Sequence, residues 1–344
     1  MKLSEAKKDF VPLPKRRVVE RSNAWIARFR HLASNKVGRL VHSYRYEVGL
    51  NLVDYIQLLR PKHWVKNLFV FSPLFFAGQL TEGRKLPLLA LGVLAFNCVT
   101  SGIYVLNDYR DIEADRLHPE KRKRPFASGA IPTSHAFVLI AVCLTLGIIL
   151  ALMLPPTFLF LLGLYMVLSL GYSFGLKHVP ILDLFIISMG FVLRVLAGGV
   201  IADVPVSQWL VVMIFLLALF LGLAKRRDDL LIQDASGINV RQVIKYYNHD
   251  FLNASIIMVS GIIIVTYLLY TLSPQVTERL GSSRLYYTGL FVIAGIMRYI
   301  QLIYVESNTG SPTEVVYQDR FIQFTILLWI LSFFVIIYYP HRFF

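Results

Sequence analysis

The sequence predicts an all-α, polytopic membrane protein: one helical bundle of about nine transmembrane helices around a central cavity open to the cytoplasmic side. Three observations carry this expectation. The chain is 56% hydrophobic with a mean hydropathy of +0.58, above the roughly 45–50% apolar usage of soluble domains. Nine apolar stretches approach or exceed the about 20 residues that cross a bilayer core. The basic residues are one-sided: of 35 Lys and Arg, 28 fall in segments on one side of the spans and 5 on the other, with Arg194 and Arg298 inside spans. Basic loops stay cytoplasmic, so the N-terminus is expected inside and the C-terminus outside. The net charge of +14 then reads as orientation signal and attraction to anionic lipid, not as a nucleic-acid footprint.

Residues 1–50 are a basic extension. No apolar stretch follows the start, so no cleavable signal peptide is expected. The first 20 residues lack apolar periodicity and read as disordered. Trp25, Phe29, Leu32, Leu40 and Tyr44 recur at roughly helical spacing among Arg28, Arg30, Lys36 and Arg39. That pattern predicts an amphipathic helix over 22–46 on the inner membrane surface. Residues 51–344 form the bundle, with spans at 65–80, 86–106, 135–154, 157–175, 181–201, 208–224, 253–272, 285–304 and 321–339. The first is the least regular, because Lys66 and Asn67 interrupt its start. Outer loops are short. The inner loops 107–134, 225–252 and 305–320 are long and charged, so the chemistry is sought there. Cys98 and Cys143 fall inside spans and suggest neither a disulfide framework nor a zinc site; both read as small core residues.

The second span ends in "NDYRDIEADRLHPEKRKRPFASG". Asp108, Asp111 and Asp115 are spaced i, i+3, i+7, one stripe of a helix. Three carboxylates on a stripe repel each other unless a hard cation sits among them. Mg²⁺ takes carboxylate, water and phosphate oxygens, so the stripe reads as a metal–diphosphate site, with Asn107 able to donate to a phosphate oxygen. The plainer reading is a solvated helix end with Asp115 paired to Arg116 or Arg110. Three acids and an asparagine at the mouth of an apolar span favour the metal. An EF-hand is excluded by the missing glycine and the missing terminal glutamate. Lys121, Arg122 and Arg124 follow within ten residues, as orientation signal or as ligands for phosphate oxygens. Pro119 and Pro125 shape the loop.

The sixth span ends in "LAKRRDDLLIQDASG". Asp228 and Asp229 offer a second Mg²⁺ site, and Lys225 and Arg226 a phosphate site; local salt bridges are the alternative. This span and the second run in the same direction, so their ends are expected to face each other across one cavity. In "RPKHWVKNLFVF", Lys66 either faces that site or snorkels to headgroups. Arg194 lies midway through the fifth span, where a guanidinium is costly and faces a polar cavity or partner. Gly198 and Gly199 permit close helix approach beside it, and Asp183 is a possible partner. Tyr172 and Lys177 close the fourth span on the same side.

At "NDYRDIEADR" the sequence resembles the UbiA superfamily of intramembrane prenyltransferases. Asn107, Asp108, Asp111 and Asp115 match the family's NDxxDxxxD signature position by position, and "HPEKRKRPFASGAI" continues the likeness. The resemblance covers residues 60–339. It implies a helical bundle around a central cavity, with Mg²⁺ and a lateral opening to lipid. The family's second motif, DxxxD, is absent: Asp228 is followed four residues on by Ile232, and Asp229 by Gln233. "KRRDDL", "LRPKHWVKNLFVFSPLFFAG" and "GSPTEVVYQDR" look instead like the decaprenyl-phosphate phosphoribosyltransferase branch. That branch moves a 5-phosphoribosyl group from phosphoribosyl pyrophosphate (PRPP) to a polyprenyl phosphate, releases pyrophosphate, and serves cell-envelope synthesis at the bacterial inner membrane. The long extension is not part of the pattern.

The charged motifs and the resemblance together set the expected roles of particular residues. Asp108, Asp111, Asp115, Asp228 and Asp229 are the expected metal ligands. Asp108, Asp111 and Lys66 are expected at the reacting groups. Asn107, Lys121, Arg122, Arg124, Tyr172, Lys177, Arg194, Lys225 and Arg226 are expected around the substrates. PRPP with a lipid phosphate brings more negative charge than a prenyl diphosphate with a neutral acceptor, which fits bases standing where a second acid cluster would. A prenyltransferase acting on an aromatic acceptor predicts two acid clusters. A transporter predicts polar residues on both sides of the spans.

Overall fold

A computed structural model describes residues 52–80, 83–117, 121–237, 241–306, 315 and 318–339. The helix predicted over 22–46, Pro119 and most of "GSPTEVVYQDR" lie outside these residues. The chain divides into two units, Met1–Asp54 and Tyr55–Phe344, and the bundle is the second.

The described elements are helical. Helix α1, Leu52–Leu59, is followed by a 3-10 segment, Pro61–Phe71, and by α2, Ser72–Phe76. Then come α3 (Leu86–Arg110), α4 (Ile112–Leu117), α5 (Pro125–Ser128), α6 (His135–Leu152) and α7 (Pro156–Phe174). The second half holds α8 (Leu182–Ala202), α9 (Gln208–Ser236), α10 (His249–Leu272), α11 (Pro274–Leu280), α12 (Gly289–Gln301) and α13 (Arg320–Tyr338). A π-helical turn, Leu302–Glu306, extends α12. Among the described residues, eight helices are long and apolar enough to cross a membrane.

The first of the nine expected spans is the exception. It folds as the 3-10 segment followed by the five residues of α2. The reason is polar. Asn67 is buried, and its amide donates to Asn97 Oδ1 at 2.7 Å and Thr100 Oγ1 at 3.3 Å of α3. The segment is therefore packed inside the bundle instead of being a regular lipid-facing helix. A 3-10 helix rises about 2.0 Å per residue, so these 16 residues reach roughly as far as a longer α-helix. Gly198 of α8 makes the packing possible: a Cβ there would lie 1.9 Å from the carbonyl oxygen of Val70.

The sixth span also ends later than its hydropathy suggests. α9 runs on through "KRRDDLLIQDAS" to Ser236. Its 29 residues rise on the order of 43 Å, beyond the roughly 30 Å of hydrocarbon, so the charged part is helix and not loop. α3 likewise carries Asn107 and Asp108 on its last turn. One apolar core joins Val70, Leu74, Phe96, Phe158 and Leu193. Another joins Leu184, Phe220, Ile256 and Tyr299. They fix the helix ends that carry the two charged motifs.

Candidate active site

The acids of the first motif lie on two connected helices. α3 stops at Arg110, Asp111 sits at φ −94 and ψ 10, and α4 starts at Ile112. The amides of Asp111 and Asp115 still donate to the carbonyls of Asn107 and Asp111, at 2.9 and 2.8 Å, so the helical register persists through the junction. At 100° per residue, Asp115 returns to within about 20° of Asp108 while Asp111 lies about 60° away. The contacts follow that rotation. Asp108 and Asp115 are both buried and share one guanidinium nitrogen, Arg124 Nη1, at 3.0 and 2.7 Å. Asp111 turns aside to Lys177, whose Nζ lies 2.9 Å away. Arg60 pairs with Asp108 as well. Its backbone is left-handed, φ 53 and ψ 59, at the corner between α1 and the 3-10 segment, and its guanidinium lies 4.9 Å over the Tyr104 ring.

The expected three-carboxylate set is therefore not gathered around one point. Among the described residues, no group of three or more His, Cys, Asp or Glu side chains is close enough to hold a metal ion. Asp108 and Asp115 do converge, and a cationic nitrogen already sits between their oxygens. Both are hard donors of the kind a divalent cation takes, and such an ion would compete with Arg124 for them.

The second motif is built differently from the expectation. Asp228 and Asp229 are neighbours on α9, and adjacent helical residues do not face each other. Asp228 is half-buried and faces Tyr299. Asp229 is buried among cations: Arg226 Nη1 at 3.2 Å, Arg241 Nε at 2.9 Å and Lys225 Nζ at 3.9 Å. The two carboxylates thus face different surroundings. Arg226 carries a second acid, Asp183, fully buried at the start of α8, which receives its Nε at 2.8 Å. Tyr247 donates to Asp183 Oδ1 at 3.1 Å and accepts the amide of Ile181 at 2.6 Å. Burial pushes the Tyr247 hydroxyl up to about 12, which keeps it a donor. Arg241 also donates to the Tyr172 hydroxyl at 3.4 Å.

Lys121 links the two motifs. It is half-buried, and burial lowers its pKa; Arg241 and Arg124 push in the same direction while Asp115 and Asp229 oppose them. One lysine therefore senses charges from both motifs. Arg122 is exposed on the neighbouring turn, and Asn107 is half-buried beside Asp108. Arg226, expected as a phosphate ligand, is only 2% exposed and is already shared by two carboxylates. Its geometry is that of a scaffold.

Arg194 belongs to a third network. Its Nε, Nη1 and Nη2 donate to Asn67 Oδ1, the Gly190 carbonyl and the Tyr165 hydroxyl, at 2.7, 2.7 and 2.9 Å. Its guanidinium lies 4.6 Å from the Tyr165 ring centroid. It makes no ion pair with a carboxylate among the described residues. Lys66 is the residue next to Asn67, half-buried, and faces the charges of Arg194, Lys225 and Arg60.

Sequence reasoning missed Arg60 and Arg241 as members of the site and gave Asp183 as a possible partner of Arg194 or a cavity residue. A basic residue directly before Pro61 and an acid opening an apolar span were the available signals. Arg227 left none. It donates to Asn253 at 2.8 Å and to the Ile303 carbonyl of the π-helical turn at 2.7 Å, and so holds α9 against α10 and α12.

Residues 68–324 match the model of the UbiA prenyltransferase family. The chain is 34% identical to the decaprenyl-phosphate phosphoribosyltransferase of Corynebacterium glutamicum, over 81% of this chain and 86% of that protein. It is 32% identical to the enzyme of the same description from Mycolicibacterium smegmatis, over 81% and 91%. A UbiA homolog from Archaeoglobus fulgidus, solved with DMAPP and Mg²⁺, superposes with a TM-score of 0.63 at 19% identity, covering 83% of this chain and 99% of that one. That likeness speaks for the fold. The family signature sits at the ends of α3 and α4, where the cation-bridged carboxylates are found, and the chain belongs to the UbiA prenyltransferase family, in a decaprenyl-phosphate phosphoribosyltransferase-like branch.

Proposed function

We propose that the protein transfers the 5-phosphoribosyl group of PRPP to a polyprenyl phosphate of decaprenyl type and releases pyrophosphate, on the cytoplasmic face of a bacterial plasma membrane. The observation that carries this is the second motif. There Lys225, Arg226 and Arg241 converge on Asp229, with Arg226 also on Asp183, where a second metal-binding acid pair would be needed for a prenyl diphosphate donor. Such a surplus of cations suits a pair of substrates that bring a diphosphate, a 5-phosphate and an acceptor phosphate. The likeness to phosphoribosyltransferases supports the same reading.

In this reading Asp108 and Asp115 hold Mg²⁺, which supplies charge to neutralise the pyrophosphate. Asp111, released from Lys177, completes the ligand set, and Lys177 turns to a phosphate oxygen. Arg124 and Arg60, exchanged from the carboxylates, turn to phosphate oxygens. The C1–O bond to pyrophosphate breaks, and the leaving group takes the electron pair. A phosphate oxygen of the acceptor forms the new bond to C1. That oxygen is already anionic, so no strong base is required. Fixed cations lower the repulsion between the two anionic substrates. The polyprenyl tail lies among the apolar spans and enters from the side.

Purified protein is incubated with labelled PRPP, decaprenyl phosphate and Mg²⁺. Label is expected in the lipid phase with stoichiometric pyrophosphate, dependent on the lipid phosphate. Label that stays aqueous, while a prenyl diphosphate is consumed with an aromatic or other small acceptor, would replace this reading by prenyl transfer.

A further inference from the structure

We propose that the end of the bundle opposite the charged motifs carries a seat for the phosphate of a membrane lipid headgroup, built from Arg279, the Tyr270 hydroxyl and the N-terminus of α9. The inference stands apart from the proposed reaction. Ser207, which caps α9, is on the order of 33 Å along that helix from Asp229.

Three chain segments enclose a small cavity there. Phe76 closes α2, Pro205 and Ser207 lie where the chain turns from α8 into α9, and Tyr270 and Arg279 come from the last turn of α10 and from α11. The space between them admits about one water molecule, or one oxygen of a larger group. The turn is held in place by Gly199 of α8. A Cβ there would lie 2.3 Å from Val206 Cγ2, and the Val204 amide donates to the Gly199 carbonyl at 3.0 Å.

The polar lining is rich in unsatisfied donors. Tyr270 is fully buried, and its Oη has no hydrogen-bond partner among the described residues. Arg279 lies on the same wall and faces that hydroxyl. Its hydrogen bond to the Phe76 carbonyl is long, at 3.5 Å, and it makes no ion pair among the described residues. Ser207 caps α9 without a side-chain bond, and the Val211 amide makes the bond to the Ser207 carbonyl, at 3.2 Å. The amides of Gln208, Trp209 and Leu210 precede it and have no acceptor within the helix. A long helix presents partial positive charge at that end. Leaving a buried donor unpaired is costly. One anionic oxygen in the cavity would answer the hydroxyl, the guanidinium and the helix end together.

Depth identifies the carrier of that oxygen. Tyr270 is two residues from the end of α10, and Ser207 directly precedes α9. Tyr286, Tyr287 and Tyr339 are exposed at the same end, as in the aromatic belt that marks the membrane–water interface. The cavity therefore stands at the level of lipid phosphates, and a lipid's tails hold its phosphate there while free phosphate has no such anchor.

The full chain in dodecyl maltoside micelles, whose detergent carries no phosphate, is compared with Arg279→Met and Tyr270→Phe. Binding of dioleoylphosphatidylglycerol, dioleoylglycerol and inorganic phosphate is measured by calorimetry, and stability by thermal unfolding. Phosphatidylglycerol should bind the unaltered protein and raise its Tm. Either variant should weaken that binding about ten- to a hundredfold, the loss of one charge-assisted hydrogen bond. Without lipid, Tyr270→Phe should be at least as stable as the unaltered protein, because an unpaired buried hydroxyl is removed. The proposal is overturned if dioleoylglycerol or inorganic phosphate binds as tightly as phosphatidylglycerol, or if Arg279→Met keeps full affinity for it. A loss of stability in lipid-free Tyr270→Phe also overturns it, since a water would then already pair the hydroxyl.

Discussion

Replacing Arg226 by methionine tests whether this residue is scaffold or ligand. Methionine keeps much of the side chain's length and removes the guanidinium. Arg226 is 2% exposed and bridges Asp183, fully buried, to Asp229, with contacts of 2.8 and 3.2 Å. Breaking a buried ion pair by removing one partner costs about 3–5 kcal/mol, because the other charge is left uncompensated. The loss should concentrate on Asp183, which retains only the Tyr247 hydroxyl at 3.1 Å as a side-chain donor. Asp229 keeps Arg241 at 2.9 Å. Arg226→Met is therefore expected to destabilise the bundle by about 3–5 kcal/mol. Adding Asp183→Asn removes the stranded charge and should restore roughly 0.5–3 kcal/mol, the range of coupling between contacting residues. Denaturant titration of the purified protein in mixed micelles, run as a double-mutant cycle, measures both quantities. A methionine variant within about 0.5 kcal/mol of the unaltered protein, with a raised KM for PRPP, would refute the scaffold argument and return Arg226 to the phosphate role that the sequence suggested.

Asp111 is the least encumbered of the three signature acids, paired with Lys177 and more than a third exposed, so Asp111→Asn should abolish turnover with stability nearly intact; near-normal rates at saturating Mg²⁺ would count against its role. His63 is held down to about 4 by burial first and then by Lys66, Arg60 and Arg124. Its folded value lies below the ordinary 6.5, so its contribution to stability is fully present above pH 6.5 and is lost as the pH falls toward 4. His63→Gln should flatten stability across that window, and an imidazole resonance titrating near 6.5 would contradict the placement. Gly198→Ala should cost about 1–3 kcal/mol or more by overpacking against the Val70 carbonyl, whereas Gly163→Ala, where a Cβ meets nothing within 4 Å, should be neutral or mildly stabilising; equal thermal stabilities of the two variants would sink the packing argument.

The helical class, the placement of eight long apolar helices, the location of the signature at the end of α3 and the family were all legible in the amino-acid sequence. These features are local. Hydropathy over about 20 residues and the i, i+3, i+7 spacing depend only on neighbours in the chain. The tertiary structure decided which charges meet. Asp183 and Arg226 are 43 positions apart, Arg60 and Asp108 are 48 apart, and Asn67 and Arg194 are 127 apart. No local pattern encodes such pairs, because each depends on how two helices are rotated about their axes when their apolar faces pack. The same packing broke the first span into a 3-10 segment, since Asn67 found its partners inside the bundle. It also split the Asp stripe, because a 60° rotation is enough to hand Asp111 to Lys177 while Asp108 and Asp115 share Arg124.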